Sequence, residues 1–418
     1  MRRFLIILLI LFLVGIGVWY FFFRKTPDGI SIGEQNVFQA FFSRNISSGT
    51  PTPQSVGVEP FVETPTLAAT SQFSPVADFP VAGYIAFDRT KTITIPPPTE
   101  TPNAKPTTQT LVEHYIRFVS RRNGYVYEIK DGGQTTQISN VYIPNVYEAS
   151  FTTDGSVAII RFLRSDNRTV ATYSIPIPEA NLDGTRTQTE GTYFSDNIDS
   201  FTLSPDQKTV LSVFKTESGS QFVTSTITNT NRKEFFSHAF ESWLPQWKGK
   251  NVYLQTKASA FAPGFLYRID NNTKRLVKII GDTLGLTASI SPQETYTLYS
   301  ISVDNNFKSS ILAIKTGTVR TLSIAVLPEK CVWISNENLV CAGTSYPESA
   351  PYPDAWYAGT IHFHDSLYRI YTNTGGYDVL DEGDEWSYDA INLSVNEEQS
   401  RIYFIDKTTG ILWRYEYR

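Results

Sequence analysis

The sequence predicts an all-β chain, a seven-bladed β-propeller preceded by a single N-terminal transmembrane helix and a Thr/Pro/Ser-rich linker. Three observations carry this. A strand–turn–strand phrase recurs five times, beginning at Phe151, Leu203, Ile290, Ile334 and Leu393. Each copy joins two apolar strands through a polar turn built on Ser or Thr, with Asp or Asn in four of the five. The intervening chain holds only strand and turn signals, and a unit of that kind repeating every ~40–50 residues marks a propeller. Composition agrees: 27 Phe and 23 Tyr against a single Met, at position 1, suit pleated sheets better than helices.

The first element is a membrane anchor, residues 1–25. Residues 4–23 form an uninterrupted apolar run of 20 residues, enough to span roughly 30 Å of hydrocarbon at the helical rise. It ends in Trp19, Tyr20 and three Phe, an interfacial aromatic belt, followed by Arg24 and Lys25. A cleaved signal peptide has a shorter core and small residues at its end. Arg2 and Arg3 precede the span, so basic residues are almost balanced across it, and the terminal amine tips the N-terminus inward. Residues 26–65 form the linker, with Ser-Ser-Gly-Thr-Pro-Thr-Pro-Gln-Ser beginning at Ser47. That composition buries too little apolar surface to order itself and reads as a spacer. A short interfacial helix over 37–42 is a weaker reading.

The propeller occupies residues 66–418. Blade one takes strands near 82–88, 113–119, 125–130 and 135–139, and its polar insert at 96–110 reads as a long exposed loop. Blades two to six cover about 147–190, 198–237, 242–281, 287–325 and 330–383. The last blade has strands at 389–394, 401–406 and 411–417, then the chain stops one strand short of four. A strand from about 67–73 completes it and covers two open sheet edges.

The turn pattern resembles that of WD-repeat-like, TolB-type propellers, whose blades carry a Ser-Pro-Asp-Gly-Lys turn. Ser204-Pro205-Asp206-Gln207-Lys208 comes close, and Asp154-Gly155 and Ser291-Pro292 are fragments of it. Anchor, Thr/Pro linker and propeller together resemble membrane-anchored propeller proteins of candidate-phyla bacteria, as do Lys330-Cys331-Val332-Trp333 and Pro353-Asp354-Ala355-Trp356-Tyr357. The resemblance implies a fold and a location and carries over no catalytic residue.

Function is less legible. Arg2, Arg3, Arg24 and Lys25 belong to the membrane end, which leaves 32 basic against 41 acidic residues and a charge of −9. An acidic domain argues against a nucleic-acid partner. Gly-x-Ser-x-Gly, His-Glu-x-x-His and phosphate-cradling glycine loops are absent, and no cofactor is expected. Aligning the repeats puts Asp199, Glu241, Lys330 and Asp389 at the start of inner strands, at the channel mouth, with Lys330 placed to pair with a carboxylate. They read either as a site for a cation or basic peptide end, or as the polar lining of a hydrated channel. His362 and His364 share a face if the chain is extended there, but a metal needs more ligands and none is expected. Cys331 and Cys341, the only cysteines, flank a hairpin turn and can sit opposite each other as a disulfide; the alternative is two buried thiols. An oxidised pair implies an oxidising compartment.

An insertion of about twenty residues in blade six carries Tyr346, Tyr352, Trp356, Tyr357, His362 and His364 among three prolines. It reads as a partner surface, or as a local lid on its own blade. The leading functional expectation is a non-enzymatic binding or scaffold module, single-pass in the cytoplasmic membrane, with the C-terminal domain extracytoplasmic and a protein or peptide as partner. The alternative is a surface hydrolase or lyase on glycan or peptide, using channel-mouth carboxylates.

Overall fold

The computed structural model describes residues 72–95, 107–130, 133–179, 190–383, 387–398 and 400–417. The chain divides into two units, Met1–Ala68 and Ala69–Arg418, and the described residues belong to the second. The anchor at 1–25, the linker at 26–65 and the helix at 37–42 therefore lie outside them. Among the described residues no helix is long and apolar enough to cross a membrane.

The recurring turns close by one local mechanism. Ser204 Oγ donates to Asp206 Oδ1 at 2.5 Å and accepts from the Thr209 amide at 2.9 Å, while Gln207 takes φ +60°. Thr152 and Asp154 repeat this at 2.6 Å, with Gly155 at φ +69° supplying the left-handed residue. Ser291 accepts from the Thr295 and Tyr296 amides, and Glu294 stands at φ +62°. The side chains replace backbone partners in a tight reversal, which is why Ser, Thr and Asp recur there.

These hairpins assemble into seven four-stranded antiparallel sheets. The first, innermost strands are Val81–Ile95, Val146–Phe151, Ser200–Leu203, Trp243–Lys248, Thr287–Ile290, Cys331–Trp333 and Ala390–Asn396. The inner strand of blade one touches those of both blade two and blade seven, so the ring is closed. The apolar core lies between blades. One cluster joins Val119 and Val126 of blade one to Ile160 and Phe162 of blade two; another joins Val340 and Leu367 of blade six to Phe404 and Tyr415 of blade seven. Each such side chain contributes about 1.5–3 kcal/mol on full burial. Buried arginines tie adjacent blades: Arg117 bonds Glu128 in its own blade and the Gly155 carbonyl, at 2.6 Å, in the next. Arg161 repeats the device with Glu148 and the Ile198 carbonyl.

Closure follows the expectation with a shifted register. Phe73–Pro75 pairs with Leu412–Glu416, Phe73 opposite Tyr415, so the described closing strand starts where the expected segment, 67–73, ends. Phe73 fixes that register, its ring 4.5 Å from Tyr415 and 5.3 Å from Tyr388. Pro75 is tolerated because this is the outer strand, where a missing N–H costs no ladder bond. The insert in blade one departs further. It is not simply a loop at 96–110: Val81–Ile95 and Thr107–Ser120 pair along their whole length, down to Ile95 opposite Thr107. Alternating Thr and Ile in residues 92–95 favour strand continuation. Residues 96–106 lie outside the described set.

Candidate functional site

Because strands alternate in direction, the starts of the inner strands lie at the same end as the links between second and third strands. The blade-six insertion is such a link, between Asn338–Gly343 and Ser366–Tyr371, so it emerges at the channel mouth. It reaches across neighbouring blades. The Ala350 amide donates to the Asn305 carbonyl of blade five at 2.7 Å. Asp354, opening the short helix Asp354–Tyr357, accepts from Ser259 Oγ and the Ala260 amide of blade four at 2.9 and 2.6 Å. Lys407 of blade seven donates to the Trp356 carbonyl at 2.7 Å. Beneath, Phe307, Leu327, Ala350, Tyr352, Trp356, Ile361 and Phe363 form a separate apolar cluster.

Of the insertion residues singled out by sequence, Tyr352 and Trp356 are buried, at 2% and 4% exposure, and only the others face solvent. These two follow the local-lid alternative: their rings pack inward in the apolar cluster, Trp356 over Lys330 and Asp389. Tyr357 is 40% exposed and donates to Glu329 Oε1 at 2.5 Å. His362 and His364 flank buried Phe363 and share the outer face, yet they have different partners. His364 Nδ1 meets Ser387 Oγ, and His362 Nδ1 lies 3.8 Å from Asp389. Among the described residues no group of three His, Cys, Asp or Glu side chains is placed to hold a metal.

Under Trp356 lies a charged cluster with no access to water. Lys330 Nζ bonds Asp389 Oδ1 and, at 2.8 Å, Asp365 Oδ2; all three side chains are at most 1% exposed. Asp389 also accepts the Trp356 indole N–H at 2.9 Å and the Phe363 amide at 3.3 Å. Asp365 accepts the Ala390 amide at 2.7 Å, and its Oδ1 is buried with no hydrogen bond among the described residues. Burial pushes the Asp365 carboxyl up to about 7, against the pull of Lys330. The Lys330 ammonium faces the rings of Phe363 at 4.8 Å and Trp356 at 5.4 Å. Glu329 precedes Lys330, is exposed to solvent, and accepts the Tyr357 hydroxyl. Burial lowers the Lys407 ammonium, Asp389 opposing.

Of the four aligned mouth residues, the structure brings together Lys330 and Asp389. Asp199 pairs with Lys215 at 3.0 Å and accepts from Ser242, and Glu241 is exposed. Asp365 was missing from the sequence reading, although it stands directly before a strand and beside the two singled-out histidines. Cys331 and Cys341 face each other across adjacent strands and form a disulfide, Cα atoms 4.1 Å apart.

At the opposite end of the channel the inner strands of blades two, three and four surround a cavity of about 590 Å³. Its lining includes Ser150, Phe201, Thr202, Trp247 and Lys248.

No protein-family model matches the sequence, and no curated protein matches it either. Solved propeller structures resemble it. TolB from Acinetobacter baumannii is 11% identical with a TM-score of 0.41, over 73% of this chain and 80% of that one. The propeller domain of the Trilobed protease from Pyrococcus furiosus is 12% identical with a TM-score of 0.47, over 73% and 91%. Virginiamycin B lyase from Staphylococcus aureus is 9% identical with a TM-score of 0.44, over 79% and 100%. At such identities the likeness concerns the fold alone.

Proposed function

We propose that this chain is a membrane-tethered extracytoplasmic propeller, a non-enzymatic binding or scaffold module that offers its plugged channel end to a protein or peptide. The observation that carries this reading is the closure of the mouth. A hydrolase working from the mouth needs open carboxylates. Here Asp365 and Asp389 are consumed by Lys330 and roofed by Trp356. What the same end presents outward is aromatic: Tyr346 of the insertion is 92% exposed, and Phe261, in the corresponding link of blade four, is 76% exposed. Exposed aromatics on a rigid frame suit protein recognition. The apolar run at 4–23 supports the tether, as does the resemblance to membrane-anchored propellers, and the Cys331–Cys341 disulfide supports an oxidising compartment.

The test is chemical crosslinking of full-length protein in its own membranes, comparing wild type with a Tyr346→Ala/Phe261→Ala double variant. The reading expects a discrete partner that the variant loses at unchanged melting temperature. An identical crosslinked set from both proteins overturns the binding face. Turnover of a peptide or glycan that disappears with Asp389→Asn overturns the non-enzymatic assignment.

A further inference from the structure

Lys248 ends the inner strand of blade four, Trp243–Lys248, and lines the cavity at the end of the channel away from the insertion. Its ammonium has no hydrogen-bond or ion-pair partner among the described residues, and burial lowers it from the ordinary lysine range with no neighbouring charge opposing. The one acidic residue lining the cavity, Glu148, is held by Arg161 at 2.8 Å. The cavity lining therefore carries one positive charge without an ion-pair partner, on a side chain that is partly buried, an arrangement that an incoming anion complements. Ser150 and Thr202 line the same cavity, as do Phe201 and Trp247, whose side chains are half-buried. The volume lies within the range of small-molecule sites.

We propose that this cavity binds a small monoanionic carboxylate with an aromatic or apolar body, the carboxylate on Lys248 and the body against Phe201 and Trp247. One free ammonium balances one negative charge, whereas a phosphate dianion would leave a charge over. A single point-charge donor flanked by hydroxyls suits a carboxylate without requiring a guanidinium fork. The site is separate from the plugged mouth, so it stands or falls independently of the binding reading above.

The experiment is calorimetric titration of full-length protein with phenylacetate, phenylacetamide and inorganic phosphate. Phenylacetate is expected to bind, and the isosteric amide to bind at least about tenfold more weakly, as is usual when a charge-assisted hydrogen bond is lost. Lys248→Gln should weaken phenylacetate binding by a similar factor without lowering the melting temperature, and Lys248→Arg should restore it. Equal binding of acid and amide, undiminished binding by Lys248→Gln, an Arg variant as weak as the Gln variant, or binding of phosphate alone would each overturn the assignment.

Discussion

Asp365→Asn isolates the proton held beneath the insertion. With both carboxyls ionised, the Lys330–Asp365–Asp389 cluster carries one uncompensated negative charge on side chains at most 1% exposed. Burial therefore raises the Asp365 carboxyl from 3.8 to about 7. A carboxyl raised on folding makes the folded state the better proton acceptor. Its contribution to stability is complete below the unfolded value and is lost as pH rises through the folded one. That span corresponds to roughly 4 kcal/mol. The asparagine keeps a carbonyl oxygen for Lys330 and for the Ala390 amide, and it is neutral at every pH. The stability of Asp365→Asn relative to wild type should therefore grow by roughly 4 kcal/mol between pH 4 and pH 8. Carboxyls shifted the other way, such as Asp166, held at about 2 by hydrogen bonds from Thr169, are present in both proteins and cancel. Urea unfolding of wild type and variant at five pH values gives the difference directly. A difference that stays flat from pH 4 to 8 would refute the buried-proton argument.

Trp356→Ala should cost about 3–5 kcal/mol, because it opens a cavity and strips an N–H donor from Asp389; limited proteolysis should then cut within residues 344–365 while the blades survive. Reducing the Cys331–Cys341 bond, which closes a loop of 10 residues, should lower stability by roughly 2–3 kcal/mol, read from urea midpoints with and without reductant. Phe73→Ala should cost about 3–5 kcal/mol and speed amide exchange in Leu412–Glu416, since that ring holds the closing strand against Tyr388 and Tyr415.

The ring was legible in the sequence because each blade repeats one hairpin chemistry. Ser204 with Asp206 and Thr152 with Asp154 are local devices whose partners lie within a few residues, so sequence order alone exposes them. The same turn alignment set Lys330 and Asp389 at equivalent starts of neighbouring inner strands, and ring geometry made them adjacent. The disulfide was legible for a similar reason, since a hairpin register follows from its turn. Asp365 and Trp356 were not, because they reach the mouth through an irregular link with no period to align. Burial of Trp356 depended on what lay beneath it, and a buried lysine with two carboxylates is a three-dimensional fact. Lys248 escaped notice because its interest lies in lacking a partner, which no sequence pattern records. The described closing strand takes its register from Phe73, whose ring lies against Tyr388 and Tyr415, a contact that no turn pattern records.

The claim on which the rest depends is that the insertion closes the mouth through the buried Lys330 cluster. Hydrogen exchange of full-length protein tests it most directly, followed at the amides of Ala350, Ala355, Tyr357 and Phe363, each bonded to a defined acceptor. A latched plug predicts exchange at these sites nearly as slow as in the Ser366–Tyr371 strand, with Lys330→Met releasing them while other blades stay protected. Exchange at unprotected rates in wild type, or protection indifferent to Lys330→Met, would contradict it.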